Sequence, residues 1–151
     1  MEAFDELERQ IQEEMKQIYT EVTLEHAMNP RNVGSLPNAD GFAQVIGPCG
    51  DTMEIWLKVK DGRIVKATFW TDGCGTSIAC GSMVTELLKG KTIAEAFRLS
   101  SQDILNALGG LPEADVHCSI LAADTLREAL KDYLKFRDEP WKRAYQSQRE
   151  G

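Results

Sequence analysis

The stretch Thr52–Lys60, the dipeptide Asp61-Gly62 and the stretch Arg63–Thr71 constrain this chain more than any other part of it. Met53, Ile55, Leu57 and Val59 alternate with Thr52, Glu54, Trp56, Lys58 and Lys60, the period of a strand with one buried face. Asp-Gly between two such runs reads as a tight hairpin turn. Val65, Ala67 and Phe69 are expected on the inward face of the second arm. A shorter strand over residues 42–46 precedes them, and the short connections predict a meander of three antiparallel strands with one face to be covered.

Helices supply the cover. Residues 77–89 read as a helix ending at Gly90, a natural residue past a helix end, and Thr92-Ile93-Ala94-Glu95 fits a capping box. Residues 101–108 form another, closed by Gly109-Gly110. A longer amphipathic helix over residues 119–136 carries Leu121, Leu126, Leu130, Tyr133 and Leu134. In front of the sheet, residues 5–28 place Leu7, Ile11, Met15, Ile18, Val22 and Leu24 at three-to-four spacing, which predicts one amphipathic helix stopped by Pro30. Packing on its own domain is the expected use of that stripe, and a partner surface is the other. The class is α+β: a small three-stranded antiparallel sheet under several helices, as one domain over residues 1–136 with 1–28 as its N-terminal helix. Residues 137–151 are a polar tail, expected to be frayed or loosely docked, with Trp141 and Tyr145 as its large apolar anchors.

The 151 residues are 42% hydrophobic and 27% charged, an ordinary globular mixture that argues against disorder across the whole chain. A net charge of −7 without a Lys/Arg cluster speaks against nucleic acid as a partner. No apolar run approaches the length of a membrane span, and Met1-Glu2-Ala3-Phe4-Asp5-Glu6 does not read as a signal peptide. A cytoplasmic setting, where thiols stay reduced, is expected. There, four cysteines point to metal or thiol chemistry before disulfides.

The local contexts sharpen that. Cys49 lies in Pro48-Cys49-Gly50-Asp51, in the turn between the first two strands. Cys74 lies in Asp72-Gly73-Cys74-Gly75, past the third strand and opening a helix. Cys118 lies in Val116-His117-Cys118-Ser119, at the start of the last helix. Antiparallel geometry puts the start of the second strand and the end of the third at one end of the sheet, so Cys49 and Cys74 can approach. A helix N-terminus favours the thiolates of Cys74 and Cys118, the form that binds metal or attacks sulfur. Asp51 faces the same side as Cys49 in extended geometry, with a turn or capping role as its plain alternative. His117 is a candidate fourth ligand or proton donor, with a cap or surface role as its plain alternative. Cys80, between Ala79 and Gly81 in a helical run, reads as a small core residue. His26 reads as surface or core. These residues define a soft-metal or sulfur-handling site built on Cys49, Cys74 and Cys118, with Asp51 and His117 at its edge.

In order along the chain, Asn29-Pro30-Arg31-Asn32-Val33-Gly34, Cys49-Gly50-Asp51, Gly73-Cys74-Gly75 with Ile78-Ala79, Thr85-Glu86, Lys89-Gly90-Lys91-Thr92 and His117-Cys118-Ser119-Ile120-Leu121-Ala122 resemble the IscU-type iron–sulfur cluster scaffolds, equivalent to the N-terminal domain of NifU-type proteins. The resemblance runs from about Tyr19 to Phe136. It implies a scaffold that takes sulfur as persulfide from a cysteine desulfurase, builds a [2Fe–2S] cluster from iron and that sulfur, and passes it to apo-proteins. It maps the ligands onto Cys49, Asp51, Cys74 and Cys118, with His117 beside them, makes Cys118 the candidate persulfide acceptor, and implies zinc on the same groups when no cluster is present. Two departures stand out. Leu111-Pro112-Glu113-Ala114-Asp115 carries acids where many members carry a lysine in the docking site of a dedicated chaperone ATPase, which speaks against that partner. Cys80 stands where many members have serine. The segment before Tyr19 extends beyond the usual core and is a candidate contact for a partner or for a second copy in a homodimer. A persulfide-carrying sulfurtransferase with a zinc site is the other reading of the same residues.

Overall fold

The computed structural model describes residues 2–139 and Trp141. Strands β1 (Gly41–Ile46), β2 (Thr52–Lys60) and β3 (Arg63–Thr71) form an antiparallel meander in the order β1-β2-β3. Asp61 and Gly62 both take left-handed backbone, with φ of 54° and 76°, the mirror-image turn that suits a twisted hairpin. Ile55 stands opposite Ala43 and Phe69, and Leu57 opposite Gly41 and Ala67. Met53, Ile55, Leu57, Ala67 and Phe69 are buried, as the alternation predicts.

One inward residue of β3 is not the expected one. Val59 pairs with Ile64, but Lys58 pairs with Lys66, so Val65 is the extra residue of a bulge. The bulge turns Ile64 into the core and leaves Val65 53% exposed.

Helices α1 (Glu2–Ile18), α2 (Glu21–Met28), α3 (Gly75–Leu88), α4 (Ile93–Phe97), α5 (Ser101–Leu108) and α6 (Val116–Phe136), the last entered from a 3-10 turn over Glu113–Asp115, are the helical elements of the described residues. α3 packs on β3, and α6 packs on β1 and β2. Glycine permits both approaches. A Cβ at Gly81 would sit 2.3 Å from the Phe69 ring, and one at Gly41 would sit 2.7 Å from the Ala129 carbonyl oxygen. The core thus lies between one sheet face and these two helices, and includes Val84, Leu88, Leu126 and Leu130. Thr92 and Ser100 close the capping boxes of α4 and α5.

The N-terminal helix is two helices. Thr20 breaks it: its hydroxyl accepts from the Thr23 N–H at 3.1 Å, capping α2, and also donates to the Leu108 carbonyl. Thr23 Oγ1 donates to the same carbonyl at 3.2 Å. The apolar stripe does not pack on the domain as expected: Leu7, Ile11, Met15, Ile18 and Val22 remain between 41% and 59% exposed. The segment that follows α2 lies along β3. Gly34 N–H donates to Phe69 O, and Phe69 N–H donates to Asn32 O, each at 2.9 Å. Asn32 Nδ2 reaches Thr85 and Glu86 of α3, so this segment fixes α2 and α3 together while covering a sheet edge. Trp141 is exposed, and Tyr145 lies outside the described residues.

Candidate metal and sulfur site

Antiparallel pairing brings the end of β1, the start of β2 and the end of β3 to one end of the sheet, and α3 and α6 both begin there. In the turn after β1, Gly47 N–H donates to Asp51 O at 2.7 Å and Gly50 N–H to Gly47 O at 3.0 Å. Gly50, with φ of 86°, makes the bend that leaves Cys49 exposed. A Cβ on Gly47 would meet the Leu121 side chain at 3.4 Å, so this turn lies against α6 one turn past Cys118.

The end of β3 is pinned to the start of β2. Thr52 N–H donates to Asp72 Oδ1 at 2.8 Å, Thr71 Oγ1 donates to Thr52 O at 2.8 Å, and Gly73 N–H donates to Thr71 Oγ1 at 3.1 Å. Gly73 then makes room that no other residue leaves. A Cβ there would lie 2.6 Å from Ser77 Oγ and 3.1 Å from Asp51 Oδ2. The Asp51 carboxylate is therefore seated beside the residue that precedes Cys74.

Cys74 is exposed and occupies the N-cap position of α3. Its sulfur closes no capping hydrogen bond in the neutral form. Partial desolvation opposes its ionisation, but the backbone N–H groups and hydroxyls of Ser77 and Thr76 favour the thiolate and together outweigh it, so the thiol titrates below its ordinary value. Cys118, the third residue of α6, differs sharply. It is fully buried, and burial first, then the charges of Cys74 and Asp115, push its thiol up to about 11 against the opposing hydrogen bond from Ser77. Ser77 Oγ donates to Cys118 Sγ at 3.4 Å, and His117 Nε2 lies 3.6 Å from the same sulfur.

Ser77 links the two thiols and escaped the sequence reading, although its position three residues after a helix cap, where side chains fold back towards the cap, is a usable signal. Tyr19 and Asp115 also escaped it: Tyr19 Oη donates to Asp115 Oδ2 at 2.7 Å across 96 residues of sequence. They line a groove with Met15, Leu24, Cys74 and Thr76. Cys80 is fully buried, and burial pushes its thiol far above the ordinary range. Its geometry is that of a core residue.

The structure thus brings Cys74, Cys118, Ser77, His117 and Asp51 to one end of the sheet. Among the described residues, no three metal-binding side chains are already gathered for an ion. The donor chemistry suits soft iron or zinc, with three thiols, one carboxylate and one imidazole available. One of the thiols is turned inward.

A meander backed by helices, ending in two exposed thiols and one buried thiol with a carboxylate and an imidazole beside them, defines a small thiol-site α+β domain. The chain belongs to the NifU-like N-terminal domain family, which it matches over residues 18–139. It is 50% identical over 119 residues to the iron-sulfur cluster assembly scaffold protein IscU 1 of Archaeoglobus fulgidus, covering 78% of each chain. It is 45% identical over 125 residues to the iron-sulfur cluster assembly scaffold protein IscU of Escherichia coli K12, covering 80% of this chain and 97% of that one. Among solved structures, a hypothetical protein superposes with a TM-score of 0.63 at 27% identity over 76% of this chain and 98% of its own. The N-terminal part of a nitrogen-fixing NifU-like protein from Brucella abortus shares the fold, with a TM-score of 0.61 at 24% identity over 80% and 97%. Helix α1 lies almost wholly ahead of the family match. Among the described residues, no helix is long and apolar enough to cross a membrane.

Proposed function

We propose that this chain is an iron–sulfur cluster assembly scaffold, which accepts sulfur from a cysteine desulfurase, builds a labile [2Fe–2S] cluster on Cys49, Cys74, Cys118 and Asp51, and passes it to apo-proteins. The cluster is cargo. The observation that carries this reading is the convergence on Ser77, which lies at Cys74, donates to Cys118, and with Asp51 crowds the space beside Gly73. A [2Fe–2S] core needs four ligands from the protein, and three thiolates with Asp51 supply them, with His117 as the replacement for Asp51. A carboxylate is a harder ligand than a thiolate and holds iron less firmly in such a site, which suits a cluster that must leave. Without the cluster, three thiolates plus Asp51 or His117 form a reasonable tetrahedral zinc site. Residues 1–136 are the scaffold domain in this reading, and a cytoplasmic setting keeps its thiols reduced.

Sulfur arrives in this reading when a thiolate attacks the outer sulfur of the desulfurase persulfide. The donor's S–S bond breaks, the donor cysteine leaves as thiolate, and the persulfide now stands on the scaffold. An external electron donor then supplies the two electrons that turn each such sulfur into sulfide. Cys118 is the proposed acceptor once the first turn of α6 opens. The exposure and lowered titration of Cys74 favour it as the second candidate. Incubating the protein with a cysteine desulfurase and cysteine, without iron, and mapping persulfide by mass spectrometry tests the step. Persulfide on Cys118 is expected. Persulfide confined to Cys74 moves the acceptor role there, and none on either thiol contradicts the sulfur-acceptor reading. With persulfide but no cluster after iron is added, the chain is instead a sulfurtransferase with a zinc site.

A further inference from the structure

Cys118 is fully buried while Cys49 and Cys74 are exposed, so a site using all three thiols requires the turn that opens α6 to move. One residue in that turn is bonded in an unusual way. Asp115 holds the N-cap position of α6, where an aspartate ordinarily accepts from the free N–H groups of the helix. Here it closes no capping bond. Its Oδ2 accepts from Tyr19 Oη at 2.7 Å instead. Tyr19 is well anchored for this task. Its N–H donates to Met15 O at 2.8 Å, and the next turn is tied to the Leu108 carbonyl by Thr20 and Thr23. The groove between them has Cys74 and Thr76 in its lining.

We infer that Tyr19 and Asp115 are positioning residues for Cys118: their hydrogen bond holds the turn that opens α6 against the junction of α1 and α2 and keeps the Cys118 thiol buried. Asp115 is also the last residue of a 3-10 turn over Glu113–Asp115, where the Val116 N–H already donates to Glu113 O, so its carboxylate is turned to Tyr19 and not to its own helix. Loss of the Tyr19 bond frees this turn to move and the Cys118 thiol to join the exposed thiols. The functional consequence rests on the reading of Cys118 as a cluster ligand; the positioning itself does not.

The test is the rate at which iodoacetamide alkylates Cys118 in the metal-free protein, followed by peptide mass spectrometry with Cys80 as a buried control. Tyr19→Phe and Asp115→Ala should each raise the Cys118 rate roughly tenfold, the scale of one part-buried hydrogen bond to a charged acceptor. Asp115→Asn removes the charge that raises the Cys118 thiol but keeps an oxygen that can accept from Tyr19, and should accelerate labelling less than Asp115→Ala does. The inference is overturned by an unchanged Cys118 rate in Tyr19→Phe, by equal acceleration of Cys80, or by Asp115→Asn behaving like Asp115→Ala. The same variants are then loaded with iron and sulfide. Faster cluster formation in Tyr19→Phe supports the use of Cys118 as a ligand. Faster labelling with unchanged loading leaves the positioning standing and overturns that ligand assignment.

Discussion

Ser77 Oγ donates a hydrogen bond to Cys118 Sγ across 3.4 Å, from the helix that Cys74 opens. One hydroxyl therefore touches a buried thiol of high pKa and helps an exposed thiol of lowered pKa. Removing it should move both in the same direction. In Ser77→Ala the pH midpoint of Cys74 alkylation should rise, though part of the lowering persists because the Ser77 and Thr76 backbone N–H groups remain. A midpoint identical to that of the unmodified protein contradicts this account of Cys74.

Gly73→Ala tests the crowding around Asp51. The new methyl would fall 2.6 Å from Ser77 Oγ and 3.1 Å from Asp51 Oδ2, so both side chains must give way. The expected cost in stability is about 1–3 kcal/mol, as for other overpacked sites. Cluster loading should fall by more than the loss of folded protein explains. Full loading at a lowered melting temperature would show that the seat of Asp51 beside Cys74 does not matter.

Asp51→Ala should hold its cluster longer than the unmodified protein, because the hard ligand is the weak link in the proposed set. The half-life of the visible circular dichroism signal in the presence of a chelator measures it. An equal or shorter half-life contradicts the role given to Asp51.

Cys80→Ala should load iron in the same ratio as the unmodified chain and melt earlier. The thiol is fully buried among Ala79, Val84 and other core residues, so its loss leaves a small cavity at a cost of about 1 kcal/mol. Loss of the cluster in this variant would give Cys80 a role that its packing does not explain.

His26 makes stability depend on pH. Burial first, and then the Arg31 charge, hold its imidazole below the ordinary 6.5. Ser82 Oγ lies 2.7 Å from Nδ1 and accepts from the Arg31 N–H at 2.9 Å, an arrangement that suits a neutral ring accepting the serine proton. The unfolded chain thus binds this proton more readily than the folded one. Stability should be complete above about pH 6.5 and fall as pH drops from there towards the lowered folded value. His26→Gln should flatten that part of the melting-temperature profile; an equally steep profile in the variant assigns the dependence to other groups.

Much of the site was legible because its geometry is local or follows from strand alternation. The Asp61-Gly62 hairpin and the period-two pattern of β2 place Cys49, Asp51 and Cys74 at one end of the sheet with few assumptions. The contexts of Cys74 and Cys118 place both at helix starts. What the pattern could not carry depends on distant partners. Thr20 breaks the N-terminal helix because it finds Leu108 as well as Thr23. Val65 turns outward because of a bulge in the β2–β3 pairing, which no alternation within β3 reveals. The surroundings of Cys118 come from distant segments, with Ser77 reaching its thiol and Tyr19 reaching Asp115 at the start of its helix. The exposed stripe of α1 was legible as amphipathic, but its exposure was not, since periodicity identifies an apolar face without saying what covers it.

Cluster transfer tests the central claim most directly. The protein is reconstituted anaerobically with iron, cysteine and a cysteine desulfurase, apo-ferredoxin is then added, and visible circular dichroism is followed. The account predicts a [2Fe–2S] signal that forms on this chain and then passes to the ferredoxin. If no cluster forms, and mass spectrometry finds only persulfide on the chain, the scaffold reading is contradicted and a sulfurtransferase with a zinc site takes its place.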